Sequence, residues 1–202
     1  MQSVRVGDCS ETYDVLADRY DEWSARVVPD VREDWARKAD VFLSAGERVV
    51  ELGCGTGTPV GRALSARYAY AGVDASSGML THADMHDVDF PAASLGAVIA
   101  FYSMSHTPRE RHATLFVRIA SWLRPGGVFI GNLASRDDPD GFDADWLGVG
   151  PMRWSGFDDA TNRALLSDAG FTVVEAEAID HVEPDGTTIR PLWFLAQVRT
   201  SH

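Results

Sequence analysis

The chain has 202 residues, of which 45% are hydrophobic and 24% charged, a composition typical of a globular protein with one core. Its formal net charge of -12 disfavours nucleic acid and anionic lipid as partners, because both are polyanions. No apolar run of about eighteen residues is present, and residues 1–10 lack the pattern of a secretion signal. We therefore expect one soluble, cytoplasmic domain spanning residues 1–202, without a nucleic-acid or membrane partner; its oligomeric state stays open.

The two cysteines suggest neither disulfide nor metal chemistry. Cys9 and Cys54 are too few for a disulfide framework and lack the spacing of metal ligands. They are typical of a protein from a reducing compartment, and we predict no metal site.

Two helices are predicted ahead of the first strand. Apolar residues recur with helical spacing through residues 11–24, and the spacing resumes after Pro29 until Gly46 ends it. The first helix is rich in aromatic residues. We expect residues 10–45 to form N-terminal cap helices on the domain.

Strands and helices then alternate along the chain. Buried strands are predicted at residues 48–52, 68–74, 95–103 and 128–132, with helical segments between them. Such alternation is typical of a parallel sheet with helices on both faces. The pattern therefore predicts an α/β three-layer sandwich.

The C-terminal part has a different pattern. After a helix at residues 159–169, strands at 171–178 and 192–198 are joined by a turn rather than a helix, so they should run antiparallel. The segment at residues 133–156 is rich in proline and glycine, and no regular structure is predicted for it. Long loops of this kind are usually functional or disordered, and we expect this one, together with the first helix, to form a mobile lid.

The stretch VVELGCGTG at residues 49–57 carries the clearest motif. Gly53, Gly55 and Gly57 lie between a strand and a helix, where the missing Cβ atoms permit positive φ and close approach of a ligand to the backbone. A nucleotide-like ligand is the natural occupant. Thr58 replaces the third small residue of a dinucleotide fingerprint, which disfavours pyrophosphate, and no Gly-Lys-Ser/Thr follows as in a phosphate-binding loop.

Asp74 follows the second strand and has two acceptor oxygens that match the paired hydroxyls of a ribose. The alternative is a helix N-cap, because DASSGML has the pattern of a helix start. We favour ribose binding over capping alone.

In this order, VVELGCGTG, Asp74, Asp84-Met85, VIAFYSMSHTPRE and WLRPGG resemble the class I S-adenosylmethionine-dependent methyltransferases. The resemblance covers most of the chain. It implies a Rossmann-like, mostly parallel seven-stranded sheet of order 3-2-1-4-5-7-6 with strand 7 antiparallel. It also implies methyl transfer from S-adenosylmethionine, with S-adenosylhomocysteine as the product, to a small molecule.

The resemblance further implies which residues contact this cofactor. The glycines would hold its methionine and ribose parts, Asp74 the ribose hydroxyls, and Asp84 with Met85 the adenine. Two tyrosines of the first helix match a family helix that closes over the methionine end. The implied cofactor-binding set is Tyr13, Tyr20, Glu51, Gly53, Cys54, Gly55, Gly57, Asp74, Ala75, Met79, Asp84, Met85, Phe101 and Ser103.

The interval between Asp74 and Asp84 is short for the implied fold. Only nine residues intervene, whereas a crossover needs at least about 10–12 residues before the third strand begins. Either strand 3 is missing and strand 2 is the sheet edge, or a stretch of chain is omitted between Leu80 and Asp84. The second alternative is favoured because SSGML opens a helix without an ending, and it predicts a backbone gap.

Aromatic side chains on several elements should meet above the carboxyl edge of the sheet, where open α/β sheets bind ligands. They predict an apolar or aromatic acceptor, and core packing is the alternative role for each ring. His106, just past the strand at 95–103, is the candidate general base, with bracing of its loop as the alternative. The predicted substrate pocket comprises Tyr102, His106, Trp146 and Trp154.

Two other functions are compatible with a nucleotide-type loop. A nicotinamide-dependent oxidoreductase is disfavoured by Thr58 and by the antiparallel terminal strand. A cofactor-binding partner subunit or sensor without catalysis stays open, and it would differ from an enzyme in showing no turnover.

Overall fold

The computed structural model describes residues 9–77 and 82–200. The helices are α1 (Ser10–Ser24), α2 (Arg32–Arg37), α3 (Val60–Ser65), α4 (His112–Trp122) and α5 (Asp159–Asp168). The strands are β1 (Arg48–Leu52), β2 (Ala69–Val73), β3 (Leu95–Ala100), β4 (Leu123–Leu133), β5 (Asp138–Trp146), β6 (Gly150–Gly156), β7 (Phe171–Ala178), β8 (His181–Val182), β9 (Thr188–Ile189) and β10 (Leu192–Val198). Short 3-10 turns continue α2 and precede α4.

The main sheet has six strands in the order β2-β1-β3-β4-β10-β7. The four strands from β2 to β4 run parallel, and β10 is antiparallel to both of its neighbours. This is the order that the resemblance implies, with its third strand left out. The described residues therefore form six of the seven implied strands, as in the alternative in which strand 3 is missing.

The strand that is missing would lie outside β2. Instead, a single parallel bridge joins Asp74 to His82, and the N–H of Ala83 donates to the carbonyl of Asp74 at 2.7 Å. Within the part of the chain that the structure describes, β2 is thus the edge of the main sheet. The backbone gap was predicted between Leu80 and Asp84. The first part of this interval, residues 80 and 81, lies outside the described residues.

The core fills both faces of the sheet. In the fully buried strand β3, Val98 and Ala100 belong to the apolar cluster that includes α4, whereas Ala97 and Ile99 belong to the cluster that includes α2 and α3. Successive side chains of a strand point to opposite faces, so this alternation places helices on both sides. The three-layer α/β sandwich is confirmed.

The segment at residues 133–156 is not a loop without regular structure, so that prediction was wrong. β5 and β6 form an antiparallel hairpin in which Phe142 pairs with Arg153 and Asp143 with Met152. Met152 is fully buried, and the hydroxyl of Thr12 in α1 donates to the carbonyl of Pro151 at 2.8 Å. The hairpin thus packs on the first helix, above the carboxyl edge of the sheet.

The C-terminal strands confirm the predicted reversal. β7 and β10 pair antiparallel, and the chain between them forms the small β8–β9 hairpin. Val182 in β8 also pairs with Val28, which ties this hairpin to the segment after α1. Among the helices within residues 9–77 and 82–200, none is long and apolar enough to cross a membrane.

Candidate active site

The glycine loop adopts the backbone conformation that its sequence predicts. Gly53, Gly55 and Gly57 have φ of +73°, +54° and +82°, values that residues with a Cβ rarely adopt. A Cβ on Gly53 would lie 2.2 Å from the Cβ of Ser103, and one on Gly55 would lie 3.3 Å from the Tyr20 ring. Close packing as well as conformation therefore requires glycine at the first two positions.

Asp74 bonds the glycine loop to the end of β2. Its Oδ2 accepts from the N–H of Gly55 at 2.8 Å, and its Oδ1 accepts from the N–H of Ser76 at 3.0 Å. The second bond is the turn contact that the helix-cap alternative predicted. A carboxylate has about four acceptor positions, so two positions remain for the hydroxyls of a ribose.

A cavity of about 350 Å³ lies beside this loop, within the size range of small-ligand sites. The predicted cofactor-binding residues in its wall are Tyr13, Tyr20, Gly53, Gly55, Asp74, Ala75, Asp84, Met85, Phe101 and Ser103. Glu51, Cys54 and Gly57 are not in this wall, and Met79 lies outside the described residues. The wall also contains Arg111 and His86, which are not among the predicted cofactor-binding residues.

Glu51 supports the loop from within the core. The residue is only 4% exposed, and the hydroxyl of Tyr70 donates to its Oε2 at 2.6 Å. Burial raises the pKa of Glu51 to about 8, against the opposing effect of the Tyr70 hydrogen bond. Glu51 is thus a buried acid within β1, directly before the glycine loop.

A second cavity, of about 620 Å³, lies under the β5–β6 hairpin. All four residues of the predicted substrate pocket line it, together with Trp23 and Met152. Tyr13, Tyr20, Tyr102 and His106 line both cavities. These four side chains, which we call the shared wall, separate a space beside the glycine loop from an aromatic space.

Aromatic contacts join α1 to the hairpin across the second cavity. The ring centroid of Trp146 lies 5.6 Å from that of Tyr13 and 5.5 Å from that of Trp23, both in edge-to-face arrangements. Such pairs stabilise beyond the area that they bury. Trp154 is held instead by its Nε1–H, which donates to Asp138 at 3.1 Å.

His106 has one ring tautomer that satisfies its contacts. Its Nδ1 lies 3.1 Å from the carbonyl of Arg153, which can only accept, so Nδ1 carries the proton. Its Nε2, 2.9 Å from the hydroxyl of Tyr13, therefore accepts from that hydroxyl. Burial lowers the pKa of His106 and raises that of Tyr13 well above its usual value, so both groups are neutral near pH 7.

Tyr102 stands in a strained backbone conformation at the carboxyl end of β3. Its φ is +53°, which is rare for a bulky residue and typical of functional sites. The strain is held by Asn132, whose Oδ1 accepts from the N–H of Tyr102 at 2.7 Å. Nε2 of the fully buried His181 accepts from the Trp193 indole at 2.9 Å, so Nδ1 carries the proton. This Nδ1 lies 2.7 Å from the carbonyl of Pro29 and 3.3 Å from the Tyr102 hydroxyl.

Sequence patterns missed the charged residues of the second cavity. Arg32 is 8% exposed and binds Asp30 through two bonds, of 2.9 and 2.8 Å. Glu183 comes from the β8–β9 hairpin at the other end of the chain. No motif surrounds either residue. The one sequence feature that could have indicated Glu183 is the acidic turn sequence HVEPDG at residues 181–186.

Comparison with known proteins identifies the family. A family model described as a methyltransferase domain matches residues 20–176. The 27-O-demethylrifamycin SV methyltransferase of Amycolatopsis mediterranei (strain S699) is 27% identical over 182 aligned positions, and the match covers 78% of this chain and 63% of that protein. This chain therefore matches less than two thirds of that relative's length.

Two solved structures share the fold at low identity. The CcbJ methyltransferase from Streptomyces caelestis matches with a TM-score of 0.69 and 19% identity, over 95% of this chain and 99% of its own. The 1,6-didemethyltoxoflavin-N1-methyltransferase of Burkholderia thailandensis, solved with its namesake compound and S-adenosylhomocysteine, matches with a TM-score of 0.63 and 18% identity, over 99% and 93%. Because the family match spans most of the chain and the sheet has the expected order, the chain belongs to the class I S-adenosylmethionine-dependent methyltransferases.

Proposed function

We propose that this protein transfers a methyl group from S-adenosylmethionine to a small apolar or aromatic acceptor. The observation that carries the proposal is the shared wall, which brings a cavity beside the glycine loop against a cavity lined by indole rings. Methyl transfer requires a donor and an acceptor in line within a site that excludes water. Two cavities that meet across four side chains provide this arrangement.

The residues around the first cavity fit the cofactor. The N–H of Gly55 and the carboxylate of Asp74 lie together at the glycine loop, and Asp84 and Met85 line the same space. Bound S-adenosylmethionine supplies a methyl group that is activated by a positively charged sulfur. Asp74 would accept from the ribose hydroxyls, and Tyr13 and Tyr20 would cover the methionine end.

The residues around the second cavity fit an aromatic acceptor. Trp23, Trp146 and Trp154 supply apolar ring surface, and Met152 fills the base of the hairpin. The names of two relatives denote small-molecule acceptors, a demethylrifamycin and a didemethyltoxoflavin. Both the rings and the relatives thus favour a small molecule over a macromolecule.

The hydrogen-bonded pair of Tyr13 and His106 accounts for removal of a proton from the acceptor. A hydroxyl of the acceptor would donate to the Oη of Tyr13 while Tyr13 passes its own proton to Nε2 of His106. The carbonyl of Arg153 holds the ring so that Nε2 faces Tyr13. His106 is neutral near pH 7 because burial lowers its pKa, so it can take up the proton.

The β5–β6 hairpin and α1 enclose the acceptor side. We propose that the lid consists of this hairpin, within residues 133–156. The cap helices within residues 10–45 would form the surface on which the hairpin closes. The Thr12–Pro151 bond and the Trp146 contacts join the two parts. Opening of the hairpin would admit the acceptor, and closure would exclude water.

The test is methyl transfer from radiolabelled S-adenosylmethionine to a panel of small phenols and indoles. Tyr13→Phe and His106→Ala should each lower the transfer rate by about 10²-fold or more if the pair moves the proton. Tyr68→Phe is the matched control, because it removes a tyrosine hydroxyl that bonds Asp40 away from both cavities. A loss below about tenfold in His106→Ala would favour the bracing role instead.

Calorimetry distinguishes the non-catalytic alternative. Binding of S-adenosylhomocysteine without transfer to any member of the panel would favour a cofactor-binding partner or sensor. Transfer to one member would refute that alternative.

A further inference from the structure

Glu183 lies in the turn between β8 and β9 and lines the second cavity. Its backbone is held by two bonds of this turn, because its N–H donates to Thr187 at 2.8 Å and its carbonyl accepts from Gly186 at 2.9 Å. Its carboxylate has neither a hydrogen-bond donor nor a cation as a partner within the described part of the chain. An anion held in place at a cavity wall without a partner needs one from a ligand or from water.

The other charged groups of this cavity are already satisfied or point to solvent. Arg32 is bound by Asp30 and Arg190 by Asp180, so neither arginine serves Glu183. Asp138 accepts from the Trp154 indole. Asp143 accepts from the backbone N–H of Asp145, and Asp185 accepts from that of Thr187. Arg136 is exposed.

Glu183 also acts on the shared wall. Burial is the main cause of the raised pKa of Tyr13 and of Tyr102, and the negative charge of Glu183 is the smallest of the contributions that raise both. The pKa of Glu183 is itself raised, chiefly by burial and then by Asp185. Because Glu183 lines the second cavity and not the first, and is half-buried, it lies on the acceptor side of the wall in partly desolvated surroundings, where an opposite charge would be attracted.

The rest of the cavity favours a cation as well. Trp23, Trp146 and Trp154 line the same space, and indole rings attract ammonium groups more strongly than other aromatic rings do. The chain as a whole carries a formal net charge of -12, which draws cations towards it.

We propose that Glu183 binds a protonated amine of the acceptor, so that the substrate class is an aromatic or apolar amine methylated at a site away from that amine. This inference rests on the proposed function, since it concerns the acceptor of the same reaction. It assigns to Glu183 a role in specificity, with no part in the transfer of the methyl group or the proton.

Three phenols that differ in one group provide the test. Tyramine carries an ammonium group, 4-ethylphenol carries none, and 3-(4-hydroxyphenyl)propionate carries a carboxylate in the same place. Each is titrated by calorimetry into the protein saturated with S-adenosylhomocysteine. We expect tyramine to bind at least about tenfold more tightly than 4-ethylphenol, and the propionate to bind most weakly.

Two variants with the same change of charge locate the effect. Glu183→Gln should remove the preference for tyramine while leaving the affinity for 4-ethylphenol unchanged. Glu177→Gln is the matched control, because it removes one exposed negative charge from β7, outside the cavity wall, and should leave the preference intact.

The outcomes separate this inference from the proposed function. Equal binding of tyramine and 4-ethylphenol by the unaltered protein would overturn the role of Glu183 and leave the aromatic acceptor standing. A preference that survives in Glu183→Gln would also overturn it. Binding of none of the three phenols, with S-adenosylhomocysteine bound, would overturn both proposals.

Discussion

Replacement of Glu51 by glutamine should make the protein more stable at alkaline pH. Glu51 is 4% exposed, and burial raises the pKa of its carboxyl group from an ordinary 4.5 to about 8. Between these values the folded protein holds a proton that the unfolded chain has released, so stability falls as pH rises through this window. Below about pH 4.5 the penalty is absent.

The size of the effect follows from the two pKa values. Each unit of difference corresponds to about 1.4 kcal/mol, so the penalty that accumulates from pH 4.5 to pH 8 is roughly 5 kcal/mol. Glutamine has nearly the same shape and keeps an oxygen that can accept from Tyr70, which now donates to Glu51 at 2.6 Å. It carries no charge at any pH, and the penalty should disappear.

The assay is urea unfolding of the ligand-free protein from pH 5 to pH 9, with the parent and Glu51→Gln side by side. The free energies of unfolding should be similar near pH 5 and diverge in favour of the variant up to pH 8. Tyr70→Phe is the companion variant: it removes the donor that lowers the pKa of Glu51, so the fall in stability should extend to higher pH. Parallel pH profiles for parent and Glu51→Gln would show that Glu51 is not a buried acid with a raised pKa.

Three further predictions concern the ligand sites. Asp74→Ala should weaken binding of S-adenosylhomocysteine by about 1–3 kcal/mol, measured by calorimetry, because ribose hydroxyls lose a charged acceptor. Unchanged affinity in a folded variant would mean that Asp74 only bonds the backbone of its own turn and of the glycine loop. Gly55→Val should abolish that binding, since φ is +54° and a Cβ would lie 3.3 Å from the Tyr20 ring. The control for backbone strain alone is Gly186→Val, because Gly186 has φ of +88° but open space around it. Full binding by both variants would contradict the prediction. Amide hydrogen exchange across residues 138–156 should slow when S-adenosylhomocysteine and 4-ethylphenol are both bound; equal exchange in the free and bound protein would refute the lid.

Local patterns predicted those elements whose burial is regular. The segments at residues 48–52 and 171–178 are strands with the predicted bounds, because β1 is buried along nearly its whole length and β7 begins directly after a helix-ending glycine. The β5–β6 hairpin was missed for the opposite reason. β5 is half or fully exposed along its length and carries four aspartates, so no apolar alternation marks it as a strand.

The shortened sheet edge shows a similar limit. Spacing alone established that the interval between Asp74 and Asp84 is too short for a helix and a strand. Two outcomes remained compatible with that count, a lost strand or an omitted stretch. The described residues have β2 at the edge with one bridge to His82, a pairing that depends on where the chain returns in space.

By itself, the sequence determines the sandwich, the glycine loop and the position of Asp74, because each depends on a strand and a turn formed by neighbouring residues. Only the tertiary structure decides that Nε2 of His106 faces Tyr13, 93 residues away, and that Glu183 joins the same cavity as Trp23. These contacts form where α1, the β5–β6 hairpin and the β8–β9 hairpin pack over the carboxyl edge of the sheet. Packing between elements distant in sequence follows from the complementarity of whole surfaces, which no local period of residues records.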